Sequence, residues 1–310
     1  MRVFRDLTQL PEFKNAVITI GTFDGVHLGH QKLIGRIKTL SKQLNGESII
    51  ITFHPHPRIV INPADKSLRL LNTIEEKIAL LERYGVDNVV IVPFSRDFSE
   101  QAAEDYISHF LVKNFHPKYI VIGYDHKFGK DRRGDYHLLE KMKDTYHYQM
   151  EEIPKEMIED MTISSTKIRA ALAKGEVELA NELLGHRYTL SGTVVKGQQN
   201  GRKLGYPTAN IKLKDEYKLA PKTGVYIVEV VRGNERYKGM LNIGYNPTFG
   251  INEQTIEVNI LDFEGDIYGE YLTLELIAYR REEKKFDSLE ALIAAIKDDE
   301  TDTRNWFAAK

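Results

Sequence analysis

Not one cysteine occurs in the 310 residues. That excludes disulfides, thiolate nucleophiles, iron–sulfur clusters and cysteine-ligated zinc. Long apolar runs are missing too: no window approaches the roughly 18 uninterrupted apolar residues of a membrane span. The N-terminus, Met1-Arg2-Val3-Phe4-Arg5-Asp6, runs into charge and Pro11, unlike the apolar stretch of a secretion signal. Neither sign of charge is in excess. With 43 basic and 45 acidic side chains the formal net charge is −2, which removes the electrostatic case for nonspecific attachment to nucleic acid or an anionic membrane. An anionic ligand must therefore be gripped by a local site. These absences together lead us to expect a cytoplasmic protein without a nucleic-acid or membrane partner; they say nothing of oligomeric state.

What is present divides at about Gly185–Tyr188. Before it, short β-branched runs (Val17–Ile20, Ser48–Phe53, Asn88–Val92, Lys118–Ile122) alternate with helical spacings such as Leu33, Ile37, Leu40 and Leu44, or Ile74, Ile78 and Leu81. Further helices are expected around Tyr106 and Phe110, around Leu138–Met142, and as a pair through Ile168, Leu172, Val177 and Leu183. This is the grammar of a doubly wound α/β domain with a parallel sheet, over residues 1–186. After the boundary, glycine, proline and asparagine separate six alternating runs, near 188–197, 207–213, 224–231, 237–243, 254–261 and 270–279. They predict a six-stranded antiparallel β-barrel over 187–310, closed off by a C-terminal helix with Ser288 near its cap.

The run Gly21-Thr22-Phe23-Asp24-Gly25-Val26-His27-Leu28-Gly29-His30 follows a buried strand and opens a helix, which places it at the carboxyl end of the sheet, where open α/β folds bind ligands. Gly21, Gly25 and Gly29 let the backbone approach a polyphosphate, the helix start supplies amide donors, and His27 and His30 share one side of the first turn. A zinc cluster of His27, His30, His54 and His56 competes weakly, because no carboxylate spacing closes a tetrahedral site. In Ile163-Ser164-Ser165-Thr166-Lys167-Ile168-Arg169, hydroxyls precede a helix and two cations fall in its first turn. Serine and threonine caps are ordinary. Cations opposing the macrodipole are not, and a bound anion would explain them. His54-Pro55-His56-Pro57-Arg58 and the polar stretch Gly123–Asp135 also follow strands, the latter with the composition of a mobile ligand loop.

In the second half, the glycine-rich segment from Gly192 to Asn210 lacks the Gly-Lys-Ser/Thr ending of a P-loop. Thr208 and Asn210, two apart in an extended segment, offer two neutral oxygens on one face, hard ligands suited to Mg²⁺ when phosphates supply the remaining charge. In Thr255–Ile260, Ile256, Val258 and Ile260 take one face while Glu257 and Asn259 take the other. Glu257 is a solvent-facing strand carboxylate unless that face lines a cleft, where it would serve as a base.

The His-x-Gly-His and Ser-Ser-Thr-x-Ile-Arg elements resemble the nucleotidylyltransferase superfamily. With Gly201-Arg202-Lys203-Leu204-Gly205-Tyr206-Pro207-Thr208-Ala209-Asn210, Asn242–Phe249 and Leu261–Gly269, the whole chain resembles the bacterial bifunctional riboflavin kinase/FAD synthetases. The resemblance implies FMN synthesis from riboflavin and ATP in the barrel, with release of ADP, and FAD synthesis from FMN and ATP in the α/β half, with release of pyrophosphate. It assigns His27 and His30 to catalysis of adenylylation, Gly21, Phe23, Asp24, Gly25, Gly29, Ser164, Ser165, Thr166 and Arg169 to ATP in that half, and Asp125 to the flavin. In the kinase half it assigns Glu257 as base, Gly201, Arg202, Gly205 and Pro207 to ATP, Thr208 and Asn210 to Mg²⁺, and Asn242 and Arg281 to the flavin. Arg280 departs from the family pattern, where an apolar residue is expected, and His54 stands at a variable position. Two other readings remain at this point: a different adenylyl- or cytidylyltransferase with a barrel used for something else, and a non-enzymatic nucleotide-binding regulator whose barrel senses flavin or RNA, the RNA version being disfavoured by the near-neutral charge.

Overall fold

The β-branched runs of the first half build one parallel sheet. Its strands are β1 (Arg2–Phe4), β2 (Val17–Ile20), β3 (Ser48–His54), β4 (Asn88–Pro93), β5 (Tyr119–Gly123) and β6 (Gln149–Ile153), in the order β1-β4-β3-β2-β5-β6. Every pairing is parallel. The computed structural model describes residues 1–154, 163–197, 201, 204–246 and 253–309. Arg202 and residues 247–249 of the Asn242–Phe249 motif lie outside the described residues.

Strand alternation sorts the apolar residues onto two faces. Val17, Ile50, Val89, Ile91 and Val121 meet Leu33, Ile34, Ile37 and Leu40 of α1 (Leu28–Gln43) and Ile74 and Leu81 of a later helix. A short α2 (Pro57–Ile61) precedes that helix, α3 (Ile74–Arg83). Thr73 and Glu76 fix its start by a reciprocal capping box. On the other face, Ile18, Ile20, Ile49, Ile51, Val90 and Ile122 pack against Tyr106, Ile107 and Phe110 of a π-helix (Tyr106–Val112) and Leu139 of α4 (Tyr136–Tyr146). The chain builds outward from β2 through β3 and β4, then returns to pair β5 on the other flank of β2. The loops after β2 and β5 therefore emerge side by side at the switch point, where such sheets bind ligands.

The second half forms a closed antiparallel barrel of β7 (Thr189–Val195), β8 (Ala209–Leu213), β9 (Gly224–Arg232), β10 (Glu235–Asn246), β11 (Glu253–Ile260) and β12 (Tyr271–Arg281), in the order β10-β11-β8-β7-β12-β9. Leu190, Val194, Ala209, Ile211, Leu241, Ile243, Ile256, Val258, Leu272 and Leu274 are buried, while the residues between them in β8, β10 and β11 are mostly half-exposed.

The compact units are Met1–Ser164 and Ser165–Lys310. The helical pair α5 (Ser165–Lys174) and α6 (Val177–Leu184) thus groups with the barrel, earlier than the change of sequence grammar at 185–188. The reason is hydrogen bonding from α6. The Asn181 amide donates to the Leu276 carbonyl at 3.0 Å and accepts from the Tyr188 amide at 2.7 Å, tying α6 to β12 and to the entry of β7. The last helix, α7 (Leu289–Ala308), is capped by Ser288, and Trp306 and Phe307 pack on Ile227, Ile277 and Ala278. No helix among the described residues is long and apolar enough to cross a membrane.

Candidate active sites

In the first unit the loop after β2 carries three left-handed residues, Phe23, Gly25 and Val26. For phenylalanine and β-branched valine this backbone is strained, and strain of this kind persists only where the surroundings enforce it. They do so here. The Asp24 carboxylate accepts from the Leu71 amide at 2.8 Å, the Gln31 side chain donates to the Val26 carbonyl at 2.8 Å, and the Lys77 ammonium donates to the Thr22 carbonyl at 2.6 Å. Phe23, Asp24, Gly25, Val26 and His27 are all buried, so the turn is braced from within.

At the end of this loop His27 and His30 stack, with ring centroids 3.7 Å apart and planes 18° from parallel, and Phe23 backs His30 at 5.0 Å. Burial pushes the His30 imidazole well below its ordinary pKa, and the nearby His27 and Lys77 push it further. At neutral pH it is an uncharged ring. Its buried Nδ1 has no hydrogen-bond partner among the described residues, which suits a group completed by ligand. His56, read as a possible zinc ligand with His54, instead accepts from the Arg58 amide at the cap of α2.

The loop after β5 is tied by a backbone bridge. Phe128 and Gly134 exchange both backbone hydrogen bonds, at 3.0 and 2.9 Å, and the buried Phe128 ring stacks on Tyr106. A Cβ at Gly134 would sit 2.3 Å from that ring, so the bridge requires glycine. Asp125 is left exposed on the rim.

The Ser164–Arg169 element straddles the two units: Ser164 ends the first, and Ser165 begins α5 in the second. The helix does start as the sequence suggests, with Lys167 early in it and no acidic residue in its first turn. Thr166 is exposed and Arg169 half-buried.

In the barrel, register aligns the polar residues in one row. Glu257 lies opposite Asn242 on one side and Asn210 on the other. Directly opposed residues share a face, so all three project outward from the barrel wall whose interior holds Leu241, Ile256 and Val258. Thr208 Oγ1 donates to Glu257 Oε2 at 3.2 Å. Asn259, also read as facing the polar side, is buried and donates to the Pro207 carbonyl at 2.8 Å, which fixes the strand entry that carries Thr208. A Cβ at Gly197 would fall 2.2 Å from the Asn210 amide nitrogen, so Gly197 makes the room in which that side chain sits. Gly201 passes close to the Tyr206 carbonyl, and Gly205 takes a left-handed turn. The oxygens of Thr208 and Asn210 are hard donors and fit Mg²⁺ if phosphates complete its shell. No cluster of three or more acidic or histidine side chains that could hold a metal alone occurs among the described residues.

Arg281 has a partner on the last helix. Its guanidinium makes a forked contact with the buried Asp299 of α7, at 2.6 to 3.2 Å. Arg280 pairs with Asp302, one turn on. Neighbours on a regular strand point to opposite faces, but a register shift between Tyr279 and Arg281 turns both toward α7.

Lys77 was not singled out by motif. The one signal available is a lysine on the buried stripe of α3, three residues after Ile74 and four before Leu81.

Two family models divide the chain: FAD synthetase matches residues 9–167 and riboflavin kinase residues 184–307. The bifunctional riboflavin kinase/FMN adenylyltransferase of Listeria monocytogenes is 40% identical over 295 residues, covering 95% of this chain and 93% of the relative. The protein of that name from Escherichia coli K12 is 37% identical, covering 99% and 97%. That from Bacillus subtilis is 35% identical, covering 96% and 94%. A crystal structure described as a macrolide-efflux protein from Streptococcus pneumoniae has a TM-score of 0.86 and 34% identity, covering 98% of each chain. With both family models present in sequence order and relatives matching almost end to end, the chain belongs to the bifunctional riboflavin kinase/FMN adenylyltransferase family.

Proposed function

We propose that the barrel half converts riboflavin and ATP to FMN and ADP, that the α/β half converts FMN and a second ATP to FAD and pyrophosphate, and that the two reactions use separate sets of side chains. The observation that supports this is that the braced loop ending in the His27–His30 pair and the Thr208–Asn210–Glu257 row are two distinct phosphate-directed constellations with different chemistry.

In the kinase the attacking group is a ribityl hydroxyl, which must lose its proton as it attacks the γ-phosphoryl group. Glu257 is placed to take that proton, and Thr208, within hydrogen-bond distance, orients its carboxylate. When bound, Mg²⁺ offsets the charge of the transferring phosphoryl group, with Thr208 and Asn210 as its protein ligands. Gly201, Gly205 and Pro207 serve ATP, as does Arg202 by its motif, and Asn242 serves the flavin. Arg281 serves the flavin side, and its contact with Asp299 also docks α7.

In the adenylyltransferase the nucleophile is already an anion, the phosphate of FMN, and no strong base is needed. The requirement is to offset charge on the α-phosphate and the departing pyrophosphate. The His30 ring, uncharged at neutral pH, and its stacked neighbour His27 supply ring donors, together with the loop amides from Gly21 to Gly29; the sequence motif assigns the hydroxyls of Ser164, Ser165 and Thr166 and the Arg169 cation to the same nucleotide. Asp125 stands on the rim of the flavin loop. ATP as co-substrate of both steps fits a cytoplasmic enzyme.

Crossed variants test the division. Glu257→Gln keeps size and hydrogen-bonding capacity but cannot accept a proton. It should slow riboflavin phosphorylation by ~10²–10⁴-fold and leave FMN adenylylation within a few-fold of normal. His30→Ala should do the reverse, with a loss of ~10²-fold or more in FAD formation. Chromatography of flavin products from riboflavin or FMN with ATP and Mg²⁺ reads both. Equal losses in both reactions from either variant would refute separate sites.

A further inference from the structure

A buried ammonium lies beneath the strained loop after β2. Lys77 is 7% exposed, and its ammonium reaches the Thr22 carbonyl at 2.6 Å and Thr52 Oγ1 at 3.5 Å. Thr52 itself donates to Thr22 at 3.2 Å. A methionine or leucine would fill this position on the α3 stripe without the cost of burying an ammonium. The charge is kept directly beneath the residues that face a triphosphate.

We propose that Lys77 is a positioning residue for adenylyl transfer: its ammonium pins the Thr22 carbonyl, and with Asp24 it holds the Phe23–Val26 turn in the strained form that aims the loop amides and the His27–His30 pair at the nucleotide. This rests on the reading that the loop serves adenylylation. The ionisable groups around the ammonium are Asp24 from the loop, which stabilises its charge, and His30 from α1, stacked on His27. Its partner on β3, Thr52, is neutral, and Glu76 beside it on α3 is committed to the helix cap. Burial pulls Lys77 down to about 8, against the opposing pull of Asp24. The positive charge beneath the loop is therefore present at neutral pH and lost in mild alkali, whereas an ordinary lysine would keep it. The same charge helps keep His30 uncharged, so that it meets phosphate as a donor.

The test is Lys77→Met in the full-length protein, which keeps side-chain length and removes charge and donor. The kcat/KM for FMN adenylylation should fall about 10–100-fold, with riboflavin phosphorylation within twofold of normal. The parent enzyme's adenylylation should decline above about pH 8, and the variant's profile should be flat there. An unchanged rate, or a reduced rate that keeps the parent's alkaline decline, would overturn the proposal, since a merely structural lysine lowers the rate without setting the pH limb. If Lys77→Met loses both activities, Lys77→Arg decides: a charge that does not titrate must remove the decline, and its persistence overturns the proposal. His30→Ala, run alongside, separates the two levels. If it spares FAD formation, the assignment of the loop fails whatever Lys77 does.

Discussion

Two imidazoles of the first unit are held neutral by their surroundings, and this ties stability to acidity. Burial, aided by the nearby Arg132 charge, lowers His126 from 6.5 to about 4, and His30 is also lowered well below its usual value. Unfolded, both rings take up protons as pH falls through 6.5; folded, they resist. The stability they confer is whole above pH 6.5 and is lost as pH falls toward their folded values. For His126 the window is pH 6.5 to about 4, with about 1 kcal/mol gone one unit below 6.5. His126→Phe should therefore melt with a shallower acid dependence than the parent over that range, measured by calorimetry; an unaltered slope would mean that the ring is not buried neutral. Legibility in sequence follows the same residues. His27 with His30, and Thr208 with Asn210, could be paired because the partners lie two or three positions apart. Lys77 could not, because it acts on Thr22, 55 residues away. The row Asn242–Glu257–Asn210 needs a strand register that spacing does not encode.

Among the elements, those with a continuous apolar run or a clean helical stripe lay close to where the sequence put them. The sheet's edge strands did not announce themselves: β1 is three residues, and β6 reads Gln-Met-Glu-Glu-Ile, without a β-branched run. The spacing of Tyr106 and Phe110 signals a helix but cannot distinguish the wider π turn found there. The clamp on α7 was likewise hidden, since Arg280 and Arg281 on a regular strand would face apart. Its energy resides mainly in the buried partner. Removing Asp299 strands a half-buried guanidinium, so Asp299→Ala should cost about 3 kcal/mol in urea unfolding of the barrel unit. Loss of the more exposed Asp302 should cost about 1 kcal/mol or less. Equal small effects would show that apolar packing of Trp306 and Phe307 alone docks the helix.

For the molecule as a whole, the change of sequence grammar and the division of contacts do not coincide, and α5 and α6 lie between them. Asn181 bonds forward to Tyr188 and Leu276, so these helices act as part of the barrel's packing. A fragment of residues 165–310 should phosphorylate riboflavin and melt several degrees above one of residues 187–310, which leaves the Leu276 carbonyl and the Tyr188 amide without their Asn181 partner. Matching melting temperatures would make the helical pair an appendage. The closed ring of β7 to β12 has a further consequence. A closed ladder offers no row of unpaired backbone groups to a neighbouring chain, whereas the parallel sheet ends in two strands that, among the described residues, are paired on one side only. One of these is cut short at three residues, and the other carries Glu151 and Glu152. Brevity and like charge are the guards available to an open edge, so when crowded or half-folded chains meet, the hazard of sticking falls on the half that makes FAD.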